Sequence, residues 1–124
     1  MQIRVARPTN DLARAVEFYR DLVGLAVLSE FRDHDGFSGA IFGLPDASRQ
    51  LELVSHRGAT PAPTSEDQLV LYLGSLAEVA TVAGRLAAAG FPPREPANPY
   101  WTRDAAQCFV DPDGYWLVLS PSHR

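Results

Sequence analysis

The order of apolar patterns in this chain occurs twice, and that repeat limits the folds open to it. Residues 3 to 6 (IRVA) read as a short strand. Residues 10 to 24 (NDLARAVEFYRDLVG) follow as a helix, with Asn10 as N-cap, Leu12, Val16, Tyr19 and Val23 at helical spacing, and Gly24 as the stop. Three strand patterns come next, at 25 to 31, 37 to 43 and 50 to 56, separated by the turn compositions DHDG and LPD.

The second half restates this order. QLVLYL (68 to 73) predicts a strand, and SLAEVATVAGRLAAAG predicts a helix with a capping box of Ser75 and Glu78. The apolar stripe of that helix is Leu76, Val79, Val82, Ala83 and Leu86. A poorly patterned piece at 91 to 97, then AAQCFV (105 to 110), a DPDG turn and YWLVLS (115 to 120) complete the half. Gly24 and Gly90 lie 66 positions apart, Pro45 and Pro112 lie 67 apart, Asn10 and Ser75 lie 65 apart, and Arg4 and Gln68 lie 64 apart. A near-constant offset is the mark of a duplication. The expectation is an α+β protein of two tandem βαβββ modules, each a small sheet with a helix over one face. The modules span about 1–57 and 67–124 and are joined by a Pro- and Thr-rich linker at about 58–66, all within a single domain at 1–124. Two such sheets, each with one uncovered face, would form a cleft.

A chain of 124 residues can bury roughly two thirds of its unfolded surface. With 46% hydrophobic and 21% charged residues it is not a disordered chain. A net charge of −4 and the absence of any lysine argue against a nucleic-acid footprint. No apolar run approaches the ~20 residues of a membrane span, and the charged start MQIRVARPTND lacks the apolar core of a signal peptide. The single cysteine, Cys108 in QCFV, reads as a buried structural thiol. A cytoplasmic location is expected.

The segments NDLARAVEFYRDLVGL, QLELVSH, LAEV…LAAAGF and FVDPDGYWLVL together resemble the vicinal oxygen chelate superfamily, which includes glyoxalase I, extradiol dioxygenases, fosfomycin-resistance transferases and bleomycin-resistance proteins. The resemblance covers nearly the whole chain and implies the glyoxalase/bleomycin resistance/dihydroxybiphenyl dioxygenase fold. It also implies four metal-ligand positions, His, Glu, His and Glu in the metal-using members. Here those positions carry Arg4, Glu52, Gln68 and Val118. Arginine has no lone pair to donate and valine has no donor at all. A divalent ion needs several converging N or O donors, so a metal is disfavoured and no cofactor is expected. An Arg4–Glu52 ion pair is expected where the metal would sit, a place where arginine could hold the carboxylate by a bidentate pairing.

Alternation within strands sends Ile3, Val5, Leu51, Leu53, Leu69, Leu71, Leu117 and Leu119 toward the helices. Arg4, Glu52, Val54, His56, Gln68, Val70, Tyr72, Trp116, Val118 and Ser120 then line the opposite face, an apolar surface with a few polar groups, as in small-molecule pockets. That same face could instead be covered by a second subunit, the lesser of the two readings. The proline-stiffened FPPREPANPYW offers Asn98, Tyr100 and Trp101 either to a ligand or as a cap on the core. His34 belongs to a turn, and His56 lies toward the rim, ~13 Å along the strand from Glu52. The ligand-contact candidates are thus Arg4, Glu52, His56, Gln68, Tyr72, Asn98, Tyr100, Trp101 and Trp116, with Glu52 the best catalytic candidate. The favoured reading is a homodimeric, metal-independent protein that binds or sequesters an organic ligand, cationic or aromatic and antibiotic-like. The alternative is an enzyme: a glyoxalase-like lyase or isomerase, or a dioxygenase, with relocated ligands such as His34, Glu52 and His56, or metal-free acid/base catalysis by Glu52.

Overall fold

Alternating burial along RQLELVSH organises the first half of the molecule. Leu51 and Leu53 are 1% and 2% exposed, while Glu52 and Val54 between and beyond them are only half-buried. The computed structural model describes residues 1–123 and divides into two compact units, Met1–Ala62 and Pro63 onward.

The first unit holds β1 (Ile3–Pro8), α1 (Leu12–Val16), a π-helical continuation (Glu17–Val23), β2 (Val27–His34), β3 (Phe37–Gly43) and β4 (Arg49–His56). Its sheet runs β1-β4-β3-β2, with β1 parallel to β4 and the other pairs antiparallel. The helix begins at Asp11, whose carboxylate accepts from the Arg14 amide at 3.1 Å. The cap is therefore one residue later than the predicted Asn10. The expected stop is in place: Gly24 has φ 95°, and the Gly24 and Leu25 amides both donate back to the Tyr19 carbonyl. A left-handed residue there suits glycine and satisfies the helix's last carbonyls. Val16, Phe18, Tyr19, Val23, Phe42 and the two leucines of β4 form the core, with Tyr19 edge-on to Phe18 at 4.9 Å.

Ile3 and Val5 share the face of Leu51 and Leu53 through the β1–β4 register, yet each is 51% exposed. The physical reason is position: β1 is an edge strand, and the helix packs over β4 and β3. Only Arg7, further along the same face, is buried.

The second unit holds β5 (Gln68–Tyr72), α2 (Leu76–Ala88), α3 (Tyr100–Arg103), β6 (Gln107–Val110) and β7 (Trp116–Ser120). Its sheet has three strands in the order β5-β7-β6, with β5 and β7 parallel. Ser75 caps α2 by accepting from the Glu78 amide at 3.1 Å, and Val79, Val82, Ala83 and Leu86 are buried. Leu76, expected in that stripe, is 65% exposed, as its place in the first turn allows. The expected strand at 91 to 97 is reduced to one bridge, the Arg94 amide donating to the Cys108 carbonyl at 2.7 Å. Pro92, Pro93 and Pro96 have no N–H to extend it. Among the described residues no helix is long and apolar enough to cross a membrane.

Candidate functional site

In the first unit the uncovered face is set by the cross-strand register. Ala6, Glu52 and Ile41 lie in one row; Arg4, Gln50 and Gly43 lie in the next; Val54 and Gly39 lie on the other side of Glu52; Phe37 and His56 end the face. In-register neighbours point to the same side of a sheet, so these residues form one surface.

Arg4 and Glu52 do meet on it. The guanidinium Nη1 donates to Glu52 Oε1 at 3.3 Å, while its Nε donates to Gln50 Oε1 at 2.9 Å. The expected ion pair thus forms through one contact, not the bidentate one open to arginine, because the register places Arg4 beside Gln50 and only diagonally from Glu52. Gln50 is held in turn by donating to the Ala47 carbonyl at 2.8 Å. The Glu52 side chain is 16% exposed and that of Arg4 is 50% exposed. The carboxylate is thus largely withdrawn from solvent and touched by a cation that solvent screens.

His56 stacks on Phe37 with ring centroids 3.9 Å apart and planes within 12° of parallel. Phe37 is 41% exposed, so one aromatic face stays open to solvent. Sequence reasoning missed Phe37 and Gln50. Both were within reach of it: Gln50 precedes Glu52 by two on the same strand face, and the LPD turn, once its register is known, puts Phe37 opposite His56.

The second unit treats its counterpart face differently. Trp101, from α3, is buried with Cys108 and Val118, and Val70, Tyr100, Ala106 and Trp116 pack around this cluster. Its indole Nε1 donates to Gln68 Oε1 at 3.2 Å, and the Gln68 amide donates to the Ser65 carbonyl at 3.1 Å. Tyr100 meets Trp101 edge-on at 4.9 Å, and Tyr72, 41% exposed, lies 6.5 Å from it. Asn98 is exposed and accepts from the Tyr100 amide at 3.0 Å, which starts the short helix that turns Trp101 inward. Trp116 is half-buried. Of the two roles open to Trp101, the geometry shows the capping one. The aperiodic loop expected here is a helical turn.

The four positions corresponding to the metal ligands of the wider superfamily thus carry a guanidinium, a carboxylate bonded to it, an amide engaged at both ends, and a buried valine. This donor set does not suit a divalent ion. The relocated set His34, Glu52 and His56 does not assemble either: among the described residues no three His, Cys, Asp or Glu side chains are grouped to hold a metal.

The comparisons agree with this architecture. The YycE-like N-terminal domain model matches residues 3–54 and the YycE-like C-terminal domain model matches residues 66–121. An uncharacterised protein, YycE of Bacillus subtilis (strain 168), is 36% identical over 123 residues, covering 98% of this chain and 88% of its own. A crystal structure of Bacillus subtilis YycE superposes with a TM-score of 0.92 at 35% identity, over 99% of this chain and 90% of that one. More distant structures share the fold. The trypanothione-dependent glyoxalase I of Leishmania major has a TM-score of 0.72 at 19% identity, over 98% and 86% of the two chains. TnmS3, an antibiotic-binding protein from Streptomyces sp. CB03234, has a TM-score of 0.70 at 24% identity, over 97% and 93%. The fold is that of the glyoxalase/bleomycin-resistance/dioxygenase group, and within it the chain belongs to the YycE-like family.

Proposed function

We propose that this protein binds a small organic molecule, planar or cationic, on the Glu52 face of its first sheet, without a metal or other cofactor. One observation carries the reading: a largely desolvated carboxylate, Glu52, shares a surface with the half-open Phe37–His56 stack, and Ile41 and Val54 supply apolar area between them. An aromatic platform takes the flat part of a guest by stacking, and a carboxylate of low solvent access is a strong partner for a cation. Arg4 already neutralises Glu52 through a single exposed contact, so a cationic guest can replace it at low cost. The antibiotic-binding relative from Streptomyces supports this class of ligand through its shared fold, and sequestration follows as the mode of action.

Dimerisation belongs to the same proposal. Ile3 and Val5 on the edge strand β1 are apolar and half exposed, a surface that a second copy would cover. Light scattering coupled to gel filtration tests it: a dimer that Ile3→Glu converts to a monomer is expected, and a wild-type monomer contradicts it.

The binding reading is tested by calorimetric titration of chelator-treated protein with a panel of planar cationic antibiotics. Saturable binding weakened at least tenfold by Glu52→Gln is expected, since a charge-assisted contact is lost. Absence of heat across the panel contradicts the reading. Turnover of a ligand that survives chelation and disappears in Glu52→Gln would instead make Glu52 a general base.

A further inference from the structure

Phe31 stands on the Glu52 face of the first sheet. It is in register with Gly39 across β2 and β3, and Gly39 is in register with Val54 across β3 and β4. Glu52 lies directly opposite Ile41, so Gly39 is its diagonal neighbour, roughly 7–8 Å away. The Phe37–His56 pair lies one step further along the strands.

Two features of the backbone bring the Phe31 ring to that diagonal. Gly39 has no left-handed φ, so no turn geometry asks for glycine there. A Cβ at this position would stand 2.5 Å from the Phe31 Cζ, 2.9 Å from its Cε1 and 2.6 Å from the Leu53 carbonyl oxygen. The edge of the ring thus fills the space that a side chain at 39 would take, and a glycine inside a strand marks such a close approach. The pairing of β2 with β3 also shifts register on both sides of Ser29–Phe31, between Val27 and Ser29 and between Phe31 and His34. Bulges commonly re-aim a side chain beside a functional site.

The ring is therefore laid toward β3, at a position between Ile41 and Phe37 on that strand. Phe31 is half-buried, so part of it stays open. Along the strands the face carries a carboxylate, then a single ring, then the aromatic stack. A cation on Glu52 meets Phe31 before it meets Phe37 or His56.

We infer that Phe31 sets the specificity of the Glu52 site. It selects an arylalkyl ammonium ion, with the ammonium on the Glu52 carboxylate, the aryl ring against Phe31, and a chain between them that spans the diagonal. The assignment rests on the reading of the Glu52 face given above. A benzyl ammonium is too short to make both contacts, and an alkyl ammonium of the right length lacks the ring. Aromatic pairs gain more than the area they bury, and charge-assisted hydrogen bonds are the stronger ones.

The test is an NMR-detected titration of chelator-treated protein with benzylamine, 3-phenylpropylamine, 4-phenylbutylamine and hexylamine, all as ammonium ions. Saturable shifts are expected at Phe31 and Gly39, with the two longer aryl probes binding about fivefold tighter than benzylamine or hexylamine, the size of one aromatic pair. Phe31→Leu is expected to bring the four probes level, and Phe31→Tyr, which keeps the ring, to preserve the preference. Glu52→Gln is expected to weaken all four. Binding that depends on Glu52 but shows no preference for the longer aryl probes, or a preference that Phe31→Leu leaves in place, would overturn the role of Phe31 and leave the Glu52 site standing. No saturable binding of any probe would also overturn it, and the antibiotic titration described above then decides the Glu52 site by itself.

Discussion

The indole Nε1 of Trp101 donates to the side-chain oxygen of Gln68 at 3.2 Å, over a face of the second sheet where Trp101 also covers Val118. In the first unit Arg4 contacts Glu52 at the corresponding place. All four positions that hold a metal in the wider superfamily are therefore engaged by the protein's own side chains, one pair in each unit.

Because Trp101 is 7% exposed and anchors a cluster with Cys108 and Val118, Trp101→Ala is expected to destabilise the fold by about 3–5 kcal/mol. Trp101→Phe keeps an aromatic ring but loses the bond to Gln68, and is expected to cost less. Chemical denaturation of the two variants checks the order, and equal stability of Trp101→Ala and wild type would remove Trp101 from the core.

Glu52→Gln is expected to leave stability within about 1 kcal/mol of wild type, since half of the Arg4 side chain is exposed and solvent screens the pair. The same substitution is expected to weaken ligand binding at least tenfold. Denaturation and calorimetry on one preparation separate the two effects.

A Cβ on Gly39 would come within 2.5 Å of the Phe31 ring and 2.6 Å of the Leu53 carbonyl oxygen. The ring can swing away, but the backbone oxygen cannot do so without disturbing the sheet. Gly39→Ala is therefore expected to cost about 1–3 kcal/mol, and Phe31→Leu in the same chain to recover only part of it. The thermal midpoints of the single and double variants decide this.

Burial pushes the pKa of the Cys108 thiol above its ordinary value, and the residue is 2% exposed. The folded state keeps the proton to higher pH than the unfolded state. The associated stability is thus intact below the unfolded thiol's ordinary range near ~8.5 and is lost as pH rises toward the folded value. Native protein is expected to react with a thiol reagent only as fast as it opens. Rapid stoichiometric labelling at neutral pH would contradict the burial.

The legible parts of this fold were those governed by short-range periodicity. Leu51 and Leu53 announced the buried face of β4, and Gly24 and Ser75 marked helix ends, because a left-handed stop and a side-chain cap are local requirements. Features decided by partners at a distance were not legible. Whether Ile3 and Val5 are covered depends on which strands the helix crosses, and the inward turn of Trp101 depends on Gln68, 33 residues earlier. Glu52 and Arg4 were identified as neighbours, but the register that inserts Gln50 between them was not. The π-helical segment lies in a sequence whose apolar spacing reads equally well as α-helix.

Metal content tests the central claim most directly. Protein purified without chelator is to be measured by plasma mass spectrometry alongside Glu52→Gln. Far less than one Zn, Ni, Mn or Fe per chain is expected in both. One stoichiometric equivalent in the wild type, lost in Glu52→Gln, would contradict it.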